Sequence, residues 1–448
     1  MAEIRPFRAL HYNREKIPDL SRVITQPYDK ISPDMQAGYY AASPHNLVRI
    51  IKGRETPEDS AADNVYTRAQ RDLDDWIRRG VLISDETPAM YPYFQEYDVP
   101  GQSHAVRERR GFIALLKLED YSARVVHRHE ETLAGPKADR MELLKRTRAH
   151  YGQVFFLYSD PAGEVESALS VQTTSAPWEE MKDEYGTRHS VWRIADGAAA
   201  RAVIDGMKDK KLVIADGHHR YETALAYRDR RRAEPAYDGR ADYVMATFIR
   251  METEGLTVLP THRVIHDLRG FDWEKFRAEV KHAFDRHDTN ANSALGDGKP
   301  LREALASHGT SGGRRRIALA AYGGSGRLAL LTLRPEFDLA RALPGLSEQQ
   351  RRLDVVVLHR LVLERALGIS EEDVRHEKNV RYSRELADAV REVDSGKAQI
   401  CFLMNPTPVE AVRDVAFAAD VMPQKSTDFY PKLLSGLTIY WLDNPRGM

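Results

Sequence analysis

Short apolar runs closed off by Gly, Pro, Asp or Asn recur along this chain, and they alternate with stretches whose apolar residues return every third or fourth position. The first kind reads as strand and the second as helix. Strands are expected over residues 89–97, 111–118, 125–132, 154–158, 211–215, 243–249, 256–259, 317–322, 328–333 and 399–404. Helices are expected over residues 139–147, 198–207, 221–229, 271–284, 353–367 and 383–393. Thr56-Pro57-Glu58-Asp59 predicts a helix start, with an N-cap threonine, a proline at the first helical position and acids in the first turn. Val65, Ala69, Leu73, Trp76 and Ile77 would form the apolar face of that helix, which ends at Gly80.

From about residue 125 to 262 strand and helix alternate, which predicts an α/β core. Within it, residues 243–249 and 256–259 are expected to pair, and residues 164–190 to form a polar surface excursion. Arg107, Arg109 and Arg110 read as a solvated hairpin edge. His262 and Arg263 follow a strand end and either reach a pocket or cap it. Gly323-Gly324-Ser325-Gly326 lies between two alternating runs and no Gly-Lys-Ser follows, so a hairpin turn is expected there and not a phosphate loop. Residues 290–298 read as a linker. The chain then divides into an N-terminal α+β region (1–122), the core (123–268), an inserted α+β module (269–340) and a C-terminal region that completes the site (341–448).

Composition narrows the function. The 448 residues are 42% hydrophobic and 30% charged, ordinary for a soluble chain of two or three domains. Lys plus Arg is 66 against 67 Asp plus Glu, so no global basic field draws the chain to nucleic acid or to an anionic membrane, and any anion site must be local. No helix-turn-helix is visible. No run approaches the ~18 apolar residues of a membrane span, and the first residues lack the apolar segment of a signal peptide. The single cysteine, Cys401, excludes an internal disulfide and fits a reducing cytoplasm.

The chemistry concentrates at the 211–229 switch. The apolar run Leu-Val-Ile-Ala gives way to Asp216-Gly217-His218-His219-Arg220 and then to a helical pattern. Gly217 permits a sharp strand-to-helix turn, which aims free helix N–H groups, two imidazoles and a guanidinium at one spot. Such a turn is an anion site, because Arg220 suits phosphate and the helix dipole adds positive charge. A second polar cluster, His127-Arg128-His129-Glu130, ends a strand, where α/β folds place chemistry. A third, Lys425-Ser426-Thr427, offers an ammonium and two hydroxyls suited to a carboxylate or a phosphate. Adjacent histidines at a turn rarely converge, and no His-x-x-x-His spacing accompanies them, so no structural metal site is expected.

The block from Ala215 to Leu225, Ala-Asp-Gly-His-His-Arg-Tyr-Glu-Thr-Ala-Leu, resembles the signature of a widespread bacterial family of unknown function in the ParB/sulfiredoxin-like superfamily. Gln26-Pro27-Tyr28-Asp29, residues 44–49 and Met422-Pro423-Gln424-Lys425-Ser426-Thr427 are similar to further boxes of that family, Gln26 departing from its usual proline. The same Asp-Gly-His-His-Arg block occurs in free-serine kinases of the superfamily, where it faces the nucleotide phosphates. Sulfiredoxin chemistry needs a cysteine just before the His-Arg of this turn, where Gly217 and His218 stand.

The resemblance implies a ParB-like nucleotide-binding core and a kinase that phosphorylates the hydroxyl of free L-serine or a similar small compound. Asp216, Gly217, His218, His219 and Arg220 would cradle the phosphates of ATP or ADP, with Mg²⁺ bridging them. Glu130 would be the general base and His129 its partner, while Lys425, Ser426 and Thr427 would hold the acceptor. The alternative is a nucleotide-binding regulator without turnover.

Overall fold

The computed structural model describes residues 1–102, 105–132, 134–195, 197–235, 237–291, 295, 298–311 and 314–448. The expected linker at 290–298 lies largely outside the described residues.

Continuous apolar runs such as Val154–Tyr158 and Leu212–Asp216 have no polar face to turn to water, so they are stable only inside a sheet covered on both sides. That is their position. Among the described residues the main sheet has ten strands, and its order runs Val126–His127, Leu212–Asp216, Val154–Tyr158, Tyr243–Arg250, Val106–Lys117, Ala89–Asp98, Arg188–Val191 and Glu179–Lys182. Ile4–Arg5 and Ile194–Ala195 pair alongside. The sheet is mixed. Leu212–Asp216 runs parallel to Val126–His127 and antiparallel to Val154–Tyr158, which is itself parallel to Tyr243–Arg250. Alternate side chains feed two cores: Phe155, Leu157 and Val213 enter one, while Val154, Phe156, Ile214 and Phe248 enter the other. Tyr221 and Ala224 of the helix His218–Arg232 seal the second core.

A second sheet, six-stranded among the described residues, runs Phe284–Asn290, Arg327–Leu333, Ala318–Tyr322, Ile400–Met404, His262–Ile265 and Val380–Ser383. The hairpin expected around Gly323–Gly326 is present, Tyr322 pairing with Leu328. Its other edge pairs with the C-terminal region, Ala321 opposite Phe402, because two buried strands cannot cover their own faces. The boundaries drawn at 268/269 and 340/341 therefore cut through one sheet. The fold is mixed α/β.

Several local expectations are corrected. The helix expected from Thr56 begins at Val65: Asn64 accepts from the N–H groups of Tyr66 and Thr67, while Thr56 spends its hydroxyl on Asp59. Residues 164–190 are no excursion, for Glu179–Lys182 and Arg188–Val191 close one side of the main sheet. Phe284 leaves the helix Trp273–Val280 and starts a strand. The buried run near 353–367 is α-helical only over Asp354–Val357 and continues as a π-helix over Leu358–Ala366. Thr257–Leu259 pairs with Asp428–Tyr430 and not with Tyr243–Arg250. This last pairing carries the C-terminal polar segment to the end of the main sheet.

Among the described residues no helix is long and apolar enough to cross a membrane.

Candidate active site

The strand Leu212–Asp216 ends in a turn at Gly217, whose φ of 93° lies in the left-handed region open to glycine. A Cβ at this position would stand 3.0 Å from the Arg220 guanidinium, so the close approach requires glycine as well. The first backbone bond of the helix His218–Arg232 is Tyr221 N–H to Gly217 O at 3.0 Å, which leaves the preceding N–H groups at the positive end of the helix dipole. Arg220 Nη2 donates to Asp216 Oδ2 at 2.5 Å, and Nη1 donates to the Gln153 carbonyl.

This turn opens into a cavity of about 560 Å³. Glu130, Asp216 to Arg220, Lys425 and Thr427 all line it, so three clusters far apart in sequence meet there. Glu130 is brought in by a short parallel bridge to Met422, whose N–H donates to His129 O at 2.8 Å. The loop behind Glu130 is fastened by Glu222, which accepts from Thr132 Oγ1 at 2.5 Å and from Lys137 Nζ at 3.1 Å.

Not every expected residue faces the cavity in the expected way. Ser426 is buried, donates its hydroxyl to Pro423 O at 2.5 Å, and is not among the lining residues. The His129 ring is not joined to the Glu130 carboxylate; it spans from Ile214 O (2.8 Å from Nδ1) to Thr427 Oγ1 (3.0 Å from Nε2). A carbonyl can only accept, so Nδ1 carries the proton. Burial lowers His129 to a pKa of about 4 and keeps it neutral, and Nε2 must therefore accept the Thr427 hydroxyl proton. Burial, with His129 beside it, also pushes His218 well below the ordinary imidazole range, and burial lowers His219. His127 faces away, its nitrogens on Ala416 O and Arg124 O.

Lys30, Arg384, Asp428 and Lys432 also line the cavity, and residue patterns alone did not single them out. Lys432 is the hinge of the charge network. Its Nζ lies 3.3 Å from Asp216 Oδ1 and 3.0 Å from Asp428 Oδ1, with the side chain 9% exposed. Burial alone would lower its pKa, but the two carboxylates raise it. Burial would raise Asp216, yet Lys432, Arg220 and Lys30 together hold it below the ordinary carboxylate range; Lys432 and Arg384 do the same for Asp428. Lys30 goes the other way, lowered by burial and by Lys432. Glu130, only partly covered by neighbouring atoms but flanked by Asp216, is pushed up to about 7, burial being the largest cause and Lys425 opposing it.

Two buried arginines hold the C-terminal wall from behind. Arg109, read from sequence as solvated, is 0% exposed and donates to Tyr430 O at 3.1 Å, to Pro431 O at 2.5 Å and to Gln95 Oε1. Its strand lies in the interior of the sheet, and the guanidinium is neutralised by carbonyls instead of water. Arg263 donates to Lys425 O at 3.1 Å, supporting the left-handed Lys425 backbone (φ 58°), while His262 accepts from Met404 N–H at 3.1 Å. Arg263 thus acts on the cavity through Lys425, and His262 serves the second sheet.

A family model described as a protein of unknown function (DUF1015) matches residues 4–357. No curated protein matches the sequence. Similar solved structures include a conserved hypothetical protein from Pyrococcus furiosus at 14% identity, covering 74% of this chain and 95% of that one with a TM-score of 0.35. A free serine kinase in complex with AMP is similar at 13% identity, 72% and 92% coverage and a TM-score of 0.35. SbnI with a C-terminal truncation from Staphylococcus aureus is similar at 9% identity, 74% and 90% coverage and a TM-score of 0.35.

Proposed function

The chain belongs to the DUF1015 family of proteins of unknown function, and from that premise we propose that it is a nucleotide-dependent kinase phosphorylating the hydroxyl of a small carboxylate-bearing alcohol, free L-serine being the reference substrate. One observation carries the reading: a carboxyl group raised to about 7, Glu130, opens onto the same cavity as a helix-terminal anion turn and two further cationic side chains, Lys425 and Lys432. Phosphoryl transfer needs a phosphate cradle, counter-charge, a base and a grip on the acceptor. Each part has a candidate here.

The helix N-terminus at Gly217 to Arg220 and the ammonium of Lys432 would receive the phosphates of ATP or ADP. Arg220 and Asp216, locked to each other, keep the turn rigid. Glu130 is half ionised near neutral pH, the range in which a general base is most effective. It would take the acceptor's hydroxyl proton while that oxygen bonds to the terminal phosphorus and the bond to the leaving nucleotide breaks. Lys425, exposed at the cavity wall, would pair with the acceptor carboxylate. Thr427, whose own proton goes to His129, has an oxygen left to accept from the acceptor's ammonium.

Among the described residues no group of three metal-ligating side chains is present, and Asp216 and Asp428 are committed to cations. That donor set fits a Mg²⁺ carried in on the nucleotide and touched by one wall carboxylate, for which the exposed Asp29 is placed. The ion would offset charge on the phosphates.

Incubation of the protein with L-serine, Mg²⁺ and ATP or ADP tests the reading directly. Nucleotide-dependent formation of O-phosphoserine, or of the phosphate ester of a related small alcohol, is expected.

A further inference from the structure

Beside the charged cavity lies a second one of about 260 Å³, and Glu131 lines both. The two are linked by one segment of chain: Met422 forms part of the floor of the second cavity, and Lys425 stands in the first. Their chemistry differs. The first is walled almost wholly by charged and polar side chains. Its two aromatic rings are already faced by guanidinium groups, Tyr28 by Arg140 at 4.0 Å and Tyr382 by Arg263 at 5.4 Å. Such a space suits phosphates and a small polar acceptor.

The second cavity has a continuous apolar floor. Val356, Ile369, Val374 and Met422, all buried, form an apolar floor, and Leu346 stands at the side. Polar side chains complete the wall, and several of them are braced against one another. The π-helical stretch Leu358–Ala366 brings His359 and Arg360 to the wall, where Arg360 is braced by Glu364 at 3.2 Å and Glu371 at 2.7 Å. Gln350, which donates to Val421 O at 2.9 Å, pins the segment whose next residue, Met422, bridges to Glu130. An apolar floor ringed by braced polar groups can seat a heteroaromatic ring on the floor while the polar groups fix its orientation.

We infer that the second cavity is the nucleoside subsite: the base lies on the Val356, Ile369 and Met422 floor, the ribose hydroxyls donate to Glu131 at the shared wall, and the phosphates continue into the charged cavity. The inference rests on the phosphoryl-transfer reading of that cavity and adds the location and chemical class of the rest of the ligand.

Leu346 and Gln424 are both partly exposed at this cavity, so a larger side chain at either would fill it. Leu346→Trp and Gln424→Trp are compared with wild type by calorimetric titration of ATP, ADP and inorganic tripolyphosphate. Each variant is expected to bind both nucleotides at least tenfold more weakly and tripolyphosphate within twofold of wild type; the retained tripolyphosphate affinity also reports a folded protein. Nucleotide affinity unchanged in both variants overturns the nucleoside subsite and leaves the phosphate site standing. Wild-type protein that binds no tripolyphosphate and no nucleotide overturns the phosphate reading itself, and the subsite with it.

Discussion

His129 Nε2 lies 3.0 Å from Thr427 Oγ1, although 298 positions separate the two residues in the chain. The contact ties the end of the main sheet to the segment that carries Lys425. It also settles two proton positions, since Nδ1 is held by Ile214 O and the ring is neutral. Thr427 is therefore presented to the cavity as an acceptor.

Replacing Thr427 by Val keeps the shape and removes the donor to His129. The buried Nε2 is then unsatisfied, and stability should fall by about 1–3 kcal/mol in urea unfolding. The KM for the acceptor should rise more than the KM for the nucleotide, since the lost oxygen faces the acceptor. Equal rises in both would move Thr427 out of the acceptor's reach.

Lys432 binds Asp216 and Asp428 together, so Lys432→Met leaves the partly buried Asp216 and the buried Asp428 short of a cation. A loss of about 1.5–3 kcal/mol at pH 7 is expected, that of a charge-assisted contact, since Arg220 and Arg384 still face the two carboxylates. Both carboxyls have folded-state pKa values below their ordinary ones. Their contribution is therefore complete above the unfolded carboxylate value of about 4 and is lost as pH falls below it toward the folded values. Thermal or urea unfolding should show the gap between wild type and variant closing as pH drops below that value.

Arg109 donates to two backbone carbonyls at the foot of the Lys432 segment. Arg109→Met removes the donors and should weaken turnover and stability together, by roughly 2–4 kcal/mol in stability. Arg109→Lys should recover only part of this, because an ammonium cannot reproduce the fork that serves Gln95, Tyr430 and Pro431 at once. Full recovery with lysine would show that charge alone matters there.

These residues mark where sequence reading succeeds and where it stops. The Asp216 to Arg220 turn is legible because its causes are local: an apolar run, a glycine that alone fits φ 93°, and a helical pattern behind it. Glu130, Lys425 and Thr427 are legible as polar clusters at element ends. Lys432, Asp428, Arg384 and Lys30 are not, because they reach the cavity through the Thr257–Leu259 to Asp428–Tyr430 pairing and other contacts between distant segments. Arg109 looks like a surface arginine until Gln95 on the paired strand and the Tyr430 and Pro431 carbonyls of the C-terminal segment remove it from water. The same blindness to long-range pairing split the six-stranded sheet among three supposed regions and turned two strands of the main sheet into a loop.

Glu130 gives opposite signs for stability and activity. Its pKa is raised on folding to about 7, so the folded protein resists its ionisation and loses stability as pH rises from the unfolded value of about 4.3 toward 7. Glu130→Gln should therefore be more stable than wild type at pH 8, by roughly 1–2 kcal/mol once screening of a partly exposed group is allowed for. Equal stability at pH 8 would mean that the carboxyl titrates near its ordinary value.

The most direct test of the kinase reading is the turnover of Glu130→Gln against wild type across pH, with nucleotide affinity measured on the same samples. Wild-type kcat/KM should rise with pH through about 7 as Glu130 ionises. The variant should lose that rise and turn over roughly 10²–10⁴-fold more slowly, while binding ATP or ADP as tightly as wild type. A variant as fast as wild type, or a wild type that binds nucleotide and phosphorylates no small alcohol, would contradict the account and make the protein a nucleotide-binding regulator.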